Sequence, residues 1–455
     1  MTFASHFLFP SVRWFFRRRM ERAVSQLNKR LTKPIEPFRI MRHQDQVTRL
    51  IYDPRVMEAV RDYARDQGVP PNVAFELARS YAKEIVPGFS TTTYFVIATR
   101  MAQKLSQMLY DVRLGGGDLQ ALAQIDRDAS VVFVMNHRSN MDYVLITWLA
   151  SKHSALSYAV GEWARVWPLQ ALIRATGAFF IRRRYANTLY RAVLARYVQM
   201  AVREGTTQAI FPEGGLSLDG RVGAARVGLL DYILRGASSP GGPDVIFIPV
   251  ALNYDRVLED RVLISAGQKG VRRFDIQMKV VTGFVLRVLW QKLTGRFVRF
   301  GHAAVCYGAP LSLQDLRAQH PDLSADMLSA MLMTRIQAAI PVLPVPLVAA
   351  ALVRAGGKMP RDVLVPAIEG LVASLQAQSA WLHLPQGASA QAATEGLAAL
   401  LLRGLVESRN DTLFIAPEEE QAVSFYASSI LQRLSAPQGL APSGTLELGP
   451  PSAGT

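Results

Sequence analysis

Four short apolar runs alternate with helical segments in the middle of the chain. The runs extend from Val131 to Met135, Ala178 to Ile181, Gln208 to Phe211 and Val245 to Leu252. Apolar runs of this length are typical of buried strands, and helical periods follow Asp142, Asn187 and Gly223. Such alternation favours strands that run parallel, with helices on both faces of the sheet. The sequence therefore predicts an α/β fold with a mainly parallel, mixed sheet flanked by helices.

Helical regions are predicted on both sides of this α/β unit. The first region contains helices that begin at Asp53-Pro54, near Asn72 and near Tyr94. An Ala- and Leu-rich sequence after Pro310 predicts further helices. We expect a helical N-terminal region at 1–115, an α/β domain at 116–315, a helical C-terminal region at 316–435 and a disordered tail rich in Pro, Gly and Ser at 436–455.

The charge balance predicts an anionic partner. The chain has 51 basic and 36 acidic residues, a formal net charge of +15. Near the N-terminus, Phe3, Phe7 and Trp14 lie among arginines such as Arg13 and Arg17, which is typical of a basic amphipathic segment at an anionic membrane surface. An ordinary solvated basic helix is the alternative. No helix-turn-helix, zinc-finger or aromatic-basic sheet motif is visible, so nucleic acid is disfavoured as a partner.

Other features point to the cytoplasmic side of a membrane, with peripheral attachment. The single cysteine, Cys306, excludes an intrachain disulfide and is predicted to be a packed, inert residue. The apolar residues of the N-terminus precede its arginines, the reverse of the order in a signal peptide. The apolar stretch from Ala338 to Val353 is too short for a bilayer span and contains prolines, so it is predicted to be a buried segment.

The strand that ends at Met135 leads into the most informative motif, in which His137 is followed by Asp142 at the start of a helix. Sites in open α/β sheets form at this carboxyl edge of the strands. A histidine can remove a proton from an alcohol near neutral pH, and a carboxylate can orient the ring and stabilise the cation that results. We therefore expect His137 to be a general base oriented by Asp142. The spacing alone is a weak signal.

Three further groups lie at the ends of the other predicted strands. Arg182, Arg183 and Arg184 follow one strand, and guanidinium groups suit the binding of phosphate. The sequence Phe-Pro-Glu213-Gly214-Gly215 follows the next, where glycines allow a ligand to approach the backbone. Ile248-Pro249-Val250 is predicted to end the fourth strand.

This ordered set resembles the glycerophospholipid acyltransferase superfamily. The family has a His-x4-Asp motif, an Arg after a strand, a Phe-x-Glu-Gly block and a Pro-containing strand, and the likeness covers about Ala129 to Leu313. The glycerol-3-phosphate and dihydroxyacetone-phosphate acyltransferase branch has similar sequences at three segments, which are His-Arg-Ser-Asn-Met-Asp-Tyr, Glu-Gly-Gly and Asn253 to Glu259.

The resemblance implies roles for individual residues. It implies that His137 and Asp142 are catalytic and that the acceptor or donor is bound by Arg138, Ser139, Arg182, Arg183, Glu213, Gly214, Gly215, Arg221 and Pro249. Leu216 and Leu218 stand where related glycerol phosphate enzymes often have arginines, and Arg221 and Arg226 are expected to supply replacement charge. Backbone amides near Ser139 or Gly214 are the expected donors to the oxyanion of the reaction.

The implied activity is transfer of a fatty acyl group from acyl-CoA or an acyl carrier protein to the sn-1 hydroxyl of glycerol 3-phosphate in phospholipid biosynthesis. Lysophosphatidate and dihydroxyacetone phosphate are the alternative acceptors. No cofactor or metal is expected, because the seven histidines lack the spacings of zinc sites. A serine hydrolase is disfavoured because no Gly-x-Ser-x-Gly elbow is present. A catalytically silent lipid-binding protein is disfavoured by the intact His137 and Asp142.

Overall fold

The structure is a computed structural model, and it describes residues 36, 38, 41–91, 93–115, 124–151, 155–161, 169–182, 187–237, 242–270, 288, 290–384 and 389–435. Several predictions concern residues outside these ranges. They are the basic amphipathic segment near the N-terminus, Arg183 and Arg184, and the tail at 436–455.

Helices form the first part of the described chain, as predicted. They are α1 (His43–Ile51), α2 (Pro54–Gln67), α3 (Pro71–Ile85) and α4 (Thr99–Leu109), the last preceded by a π-helical segment at Thr93–Ala98. The Asp53 side chain accepts a hydrogen bond from the backbone N–H of Arg55, which caps α2. Gly68 ends α2 in the left-handed region, at φ 63°.

One sheet of eight strands lies at the centre of the molecule. The strands are β1 (Asp111–Gly115), β2 (Ser130–Met135), β3 (Ser157–Gly161), β4 (Phe179–Ile181), β5 (Gln208–Ile210), β6 (Val245–Tyr254), β7 (His302–Tyr307) and β8 (Leu311–Ser312). Their order is β1-β7-β6-β2-β5-β3-β4, with β8 paired to β6. The strands from β6 to β4 in this order run parallel to one another, whereas β7 and β8 run antiparallel to β6. The prediction of a mainly parallel mixed sheet is confirmed.

The strand predictions were wrong in several details, and strands β3 and β8 were not predicted. Strand β6 does not end at Pro249 but continues to Tyr254, since Pro249 pairs with Val134 in the middle of the ladder. Strand β1 lies in the region that was predicted to be helical, and it pairs with β7, which was also not predicted. The edge strand β1 contains Arg113 and an exposed Leu114, so it has no apolar run to reveal it.

The alternating side chains of the strands build two cores. Val132 and Val134 of β2 face a core that includes α1, α2 and α3, whereas Val131 and Phe133 face the core of the C-terminal region. The helices that follow the strands are α5 (Met141–Ala150), α6 (Leu169–Ala175), α7 (Thr188–Arg203), α8 (Gly228–Gly236) and α9 (Asp260–Gln268). Cys306 is buried in the first core, as predicted, and burial raises the pKa of its thiol.

The C-terminal region is mainly helical and packs directly on the sheet. Its helices are α10 (Leu313–Gln319), α11 (Ala325–Ala338), α12 (Pro344–Arg354), α13 (Leu364–Ala377), α14 (Ser389–Leu402) and α15 (Glu420–Leu434), with a 3-10 turn at Arg361–Val363. A small antiparallel sheet of β9 (Lys358–Pro360), β11 (Thr412–Ile415) and β10 (Val406–Arg409) was not predicted. Helix α12 is buried along most of its length, which confirms the buried-segment prediction.

Among the helices that the structure describes, none combines the length and the apolar character that a bilayer-spanning segment requires.

Candidate active site

His137 and Asp142 form a buried pair at the carboxyl end of β2. The chain leaves β2 at Met135 and enters α5 at Met141, so the short loop between them carries His137 and the first turn of α5 carries Asp142. Nδ1 of His137 lies 2.9 Å from Oδ2 of Asp142, and their side chains are 3% and 0% exposed. The predicted juxtaposition of these two residues is therefore present.

Four donors hold the Asp142 carboxylate in place. Its Oδ2 accepts hydrogen bonds from the backbone N–H groups of Arg138 at 2.7 Å and Ser139 at 3.0 Å, in addition to the His137 ring. Its Oδ1 accepts a hydrogen bond of 2.5 Å from the hydroxyl of Tyr254, the last residue of β6. Such hydrogen bonds stabilise the ionised form of a buried carboxylate.

This arrangement assigns the two ring nitrogens of His137 different tasks. Because an ionised carboxylate can only accept, the neutral ring keeps its proton on Nδ1 and leaves a lone pair on Nε2. Tyr143 contacts the ring edge to face at a centroid distance of 5.2 Å, and Phe211 lies 4.2 Å from it. Within the described chain no hydrogen bond engages Nε2, so this nitrogen can act as a base.

Glu213 fixes the backbone of the His137 loop. Its Oε1 accepts the N–H of His137 at 2.9 Å and its Oε2 accepts the N–H of Gly223 at 3.0 Å. Burial raises the pKa of Glu213 to about 7, and the two hydrogen bonds oppose this rise. The predicted site residue is thus next to His137, where it joins the His137 loop to the segment at Gly223.

Arg138 is buried beneath the C-terminal helix α15. Its guanidinium group donates to the carbonyl of Gly220 and stacks on Phe425, with Cζ 5.1 Å from the ring centroid. Its Nε and Nη2 have no hydrogen-bond partner among the residues that the structure describes, and desolvation lowers the pKa of the group. Arg138 is only 2% exposed, and its predicted role in binding substrate stays a prediction.

Ser139 is occupied by contacts that stabilise the loop. Its hydroxyl donates to Glu259 at 2.8 Å, and Glu259 also accepts the side-chain amide of Asn140 at 3.0 Å. Burial raises the pKa of Glu259, and these two hydrogen bonds oppose the rise. Ser139 therefore stabilises the loop, and its predicted contact with substrate stays a prediction.

Residues of the C-terminal region form hydrogen bonds with the segment next to Glu259, which contacts the His137 loop. Asp260, adjacent to Glu259, accepts hydrogen bonds from Arg403 and from the hydroxyl of Tyr426, the latter at 2.6 Å. Tyr426 in turn accepts the N–H of Val257 at 3.1 Å. Helix α15 thus contacts the site both through Phe425 on Arg138 and through Tyr426 on the segment that carries Glu259.

The two backbone amides expected to stabilise an oxyanion are already used. The N–H of Ser139 donates to Asp142, and the N–H of Gly214 donates to the carbonyl of Phe211 at 3.0 Å. These two donors hold the fold of the loop, and the assignment of an oxyanion donor near Ser139 or Gly214 stays a prediction. The amide of Gly215 has no hydrogen bond within the described residues and lines a cavity beside Glu213.

Arg182 lies at the end of β4, three strands away from β2, which is about 14 Å at the usual strand spacing. Its guanidinium group forms three hydrogen bonds of 2.6 to 3.1 Å with the carboxylate of Glu84 on α3 and lies over the rings of Tyr81 and Tyr190. These hydrogen bonds raise the pKa of Arg182. The predicted phosphate ligand is therefore paired internally, and Arg183 lies outside the described residues.

The remaining predicted site residues, Gly214, Arg221 and Pro249, lie in different surroundings. Gly214 adopts φ 68°, a backbone conformation that favours glycine, and a Cβ there would displace the Arg226 side chain, whose Cδ would lie 2.7 Å away. Arg221 is exposed and borders the same cavity as Gly215. Pro249 lies inside the sheet and is absent from the linings of the two cavities described next, so its role in shaping the donor side stays a prediction.

Two cavities flank the His137 loop. The apolar cavity, of about 910 Å³, lies between α4, α5 and β3 and is lined by Met101, Met108, Tyr143, Thr147 and Val160 among others. The polar cavity, of about 810 Å³, is lined by Glu213, Gly215, Ser217, Arg221 and Arg226 among others. His137 touches both linings, since its ring contacts Tyr143 and its backbone bonds to Glu213 and Ser217.

Sequence reasoning missed Tyr254 and Glu259, which complete the site. Both lie just after the fourth apolar run, in the segment Asn253 to Glu259, and β6 is the neighbour of β2 in the sheet. The sequence signal for Tyr254 was a tyrosine at the end of β6, the strand next to β2, which leads to His137. Among the described residues, no group of three or more His, Cys, Asp or Glu side chains is arranged to hold a metal ion.

Comparison with known proteins gives two family matches. The Acyltransferase family model matches residues 118–253, and the model of the glycerol-3-phosphate acyltransferase C-terminal region matches residues 288–437. A solved 1-acyl-sn-glycerophosphate acyltransferase from Thermotoga maritima aligns at 15% identity over 53% of this chain and 75% of that chain, with a TM-score of 0.33.

Curated relatives carry the name glycerol-3-phosphate acyltransferase. The protein from Pseudomonas fluorescens strain SBW25 is 28% identical over 60% of this chain, and that from Pseudomonas entomophila strain L48 is 29% identical over 60%. The Shewanella sp. strain ANA-3 protein is 28% identical over 63%. The matched segment spans only 32% of the length of each Pseudomonas relative and 34% of the Shewanella one. The chain therefore contains an acyltransferase domain and a glycerol-3-phosphate acyltransferase C-terminal domain, and it is similar to curated proteins named glycerol-3-phosphate acyltransferase.

Proposed function

We propose that this chain transfers a fatty acyl group from a thioester to the sn-1 hydroxyl of glycerol 3-phosphate. The observation that carries the proposal is the position of His137, oriented by Asp142, between an apolar and a polar cavity. The C-terminal family match and the names of the relatives support glycerol 3-phosphate as the acceptor.

In the proposed reaction, Nε2 of His137 takes the proton of the acceptor hydroxyl as its oxygen attacks the thioester carbonyl carbon. Asp142 stabilises the imidazolium that forms. The tetrahedral oxyanion then collapses, the carbon–sulfur bond breaks, and the imidazolium returns the proton to the leaving thiolate. The products are a carboxylic ester and a free thiol, and the histidine ends in its starting state.

The apolar cavity suits the acyl chain. Its walls are mostly apolar side chains, and each methylene removed from water contributes about 0.8 kcal/mol to binding. Tyr143 and Asn140, both in this lining, lie on the loop and helix that carry the catalytic pair, so a bound acyl chain would end at the reacting carbonyl.

The polar cavity suits the acceptor. Arg221 and Arg226, exposed on its wall, supply positive charge for a phosphate, in place of the arginines replaced by Leu216 and Leu218. Neither arginine forms an ion pair with another described side chain. Arg138 adds a buried positive charge behind Phe425.

We further propose a peripheral position on the cytoplasmic face of an anionic membrane, with acyl-CoA or an acyl carrier protein as donor. The net charge of +15 favours an anionic surface. The product of the proposed reaction is itself an amphiphile that partitions into lipid.

The decisive experiment offers the purified chain each acceptor with radiolabelled palmitoyl-CoA or palmitoyl-acyl carrier protein in detergent solution. We expect acylated product from glycerol 3-phosphate, with kcat/KM at least about tenfold above that for dihydroxyacetone phosphate or lysophosphatidate. A preference for lysophosphatidate or dihydroxyacetone phosphate would replace the acceptor in this proposal. Absence of product from all three acceptors would refute the transferase activity.

A further inference from the structure

The mouth of the apolar cavity is surrounded by exposed apolar side chains. On the π-helical segment and α4, Ile97, Met101 and Leu105 recur at every fourth position and are 46%, 57% and 38% exposed. Residues spaced in this way lie on one side of a helix. The opposite side of α4 packs inward through Ala102, Ser106 and Leu109. The outer stripe is therefore substantially exposed within the described chain.

A second segment brings more apolar residues to the same mouth. Leu293 and Val298 are 87% and 62% exposed. The segment is joined to the end of α4 by a 2.8 Å hydrogen bond from the N–H of Phe300 to the carbonyl of Leu109. Both segments line the apolar cavity, one through Met101 and Leu105 and the other through Lys292 and Arg299. The cavity-mouth surface is defined here as the exposed residues of 96–105 and 290–299.

The charge on the cavity-mouth surface has one sign. Arg100, Lys104, Lys292, Arg296 and Arg299 are all exposed, and neither segment contains an acidic residue. Each basic residue close to an anionic bilayer strengthens binding about fivefold. An exposed apolar stripe flanked by basic side chains is the composition of a helix that lies in a membrane interface.

We propose that the cavity-mouth surface is the face on which this protein docks to an anionic lipid bilayer. The apolar side chains enter the interface, the basic side chains contact lipid phosphates, and the apolar cavity opens directly into the lipid. An acidic carrier protein would be recognised by the basic residues, but it would leave five or more exposed apolar side chains in water. The inference rests on the proposed function only in assigning the cavity to acyl chains.

The buried Cys306 makes a direct test possible, because introduced cysteines can be labelled while its own thiol is 1% exposed. An environment-sensitive fluorophore is attached to Leu293→Cys and, separately, to Val298→Cys. The control is Leu402→Cys, on α14, where the native leucine is 73% exposed and lies outside the surface. Vesicles of phosphatidylcholine, with or without an equal share of phosphatidylglycerol, are then added to the full chain.

We expect a blue shift at positions 293 and 298, and quenching by lipids with nitroxide on their acyl chains, only when phosphatidylglycerol is present. Position 402 should not respond. The proposal is overturned if the chain binds vesicles while positions 293 and 298 stay in water, or if the chain does not bind vesicles. A response to acyl carrier protein and not to vesicles would overturn it in favour of a protein partner.

Two triple variants measure how much the cavity-mouth surface contributes to vesicle binding. Ile97→Asp with Leu293→Asp and Val298→Asp should weaken vesicle binding at least about tenfold. The control, Val73→Asp with Val363→Asp and Leu402→Asp, replaces three exposed apolar residues elsewhere and should bind as the unmodified chain does. Transfer from a short-chain thioester in detergent should be unchanged in both variants. If the unmodified chain shows no transfer in detergent, that result would instead count against the proposed function.

Discussion

The hydroxyl of Tyr254 donates a 2.5 Å hydrogen bond to Oδ1 of Asp142, the carboxylate oxygen that does not bind His137. Burial and the negative charge of Asp142 raise the pKa of Tyr254 well above its usual value, so the phenol keeps its proton and remains a donor. The carboxylate is thereby held on both oxygens, which fixes the direction in which it orients the imidazole.

Replacing Tyr254 by Phe removes this donor and leaves the ring. Hydrogen bonds to charged groups contribute about 1.5 to 3 kcal/mol, so we expect kcat to fall at least about tenfold, with little change in the KM of either substrate. Steady-state kinetics at saturating donor measures both parameters. Tyr110→Phe is the control, because Tyr110 packs on Tyr254 but donates to the carbonyl of Arg256. Equal losses in the two variants would mean that packing, and not the bond to Asp142, matters.

Glu213 should make stability depend on pH. Its folded pKa of about 7 lies above the usual 4.5, so the folded state binds more protons between these values. Its contribution to stability is complete below about pH 4.5 and is lost as the pH rises through about 7, by on the order of 3 kcal/mol. Denaturant unfolding at about pH 5 and about pH 8 should show this loss in the native chain and not in Glu213→Gln. Glu58→Gln, at an exposed carboxylate, should keep the native slope, and a native slope in Glu213→Gln would contradict the assignment.

The apolar cavity should select acyl chain length. Thr147 lines it one helical turn beyond Tyr143, so Thr147→Trp places a large ring in the space assigned to the chain. Excluding two methylenes costs about 1.6 kcal/mol, or roughly fifteenfold in kcat/KM for a palmitoyl donor. An octanoyl donor should be affected much less. Thr147→Val keeps the volume and should retain the native preference, and an equal loss with both donors in Thr147→Trp would place the acyl chain elsewhere.

Arg221 and Arg226 should contribute to acceptor affinity. The double variant Arg221→Ser with Arg226→Ser removes two exposed positive charges from the polar cavity, so we expect the KM for glycerol 3-phosphate to rise about tenfold while kcat is nearly unchanged. Added salt should reduce the difference from the native chain. Arg235→Ser, on α8 where Arg235 pairs with Asp231, is the surface control. An unchanged KM would exclude this wall as the phosphate site.

The sequence was sufficient for strands β2, β4, β5 and β6 and for the juxtaposition of His137 and Asp142. Buried strands such as β2 consist of continuous apolar runs, and the loop between β2 and α5 is too short to separate His137 from Asp142. Strands β1, β3, β7 and β8 were not predicted, and for β1 and β7 the physical reason can be read from their residues. The edge strand β1 is partly exposed, and β7 contains alanines whose small side chains give little apolar signal.

Two of the predicted site residues have partners that are distant in sequence. Arg182 is paired with Glu84, 98 residues earlier, and Arg138 lies against Phe425 in the C-terminal helix. No local pattern reveals such pairings, because they arise from the order of strands in the sheet and from the packing of α3 and α15. The same is true of Tyr254, whose contact with Asp142 follows from the adjacency of β6 and β2.

The most direct test of His137 as the general base is the rate of acyl transfer to glycerol 3-phosphate by His137→Asn. An asparagine amide can still donate to Asp142, but it lacks the base at Nε2, so the loop should stay folded while general base catalysis is lost. We predict a fall in kcat of about 10² to 10⁴, with an unchanged unfolding transition. A folded His137→Asn variant that transfers palmitate at close to the native rate would contradict the assignment of His137 as the base.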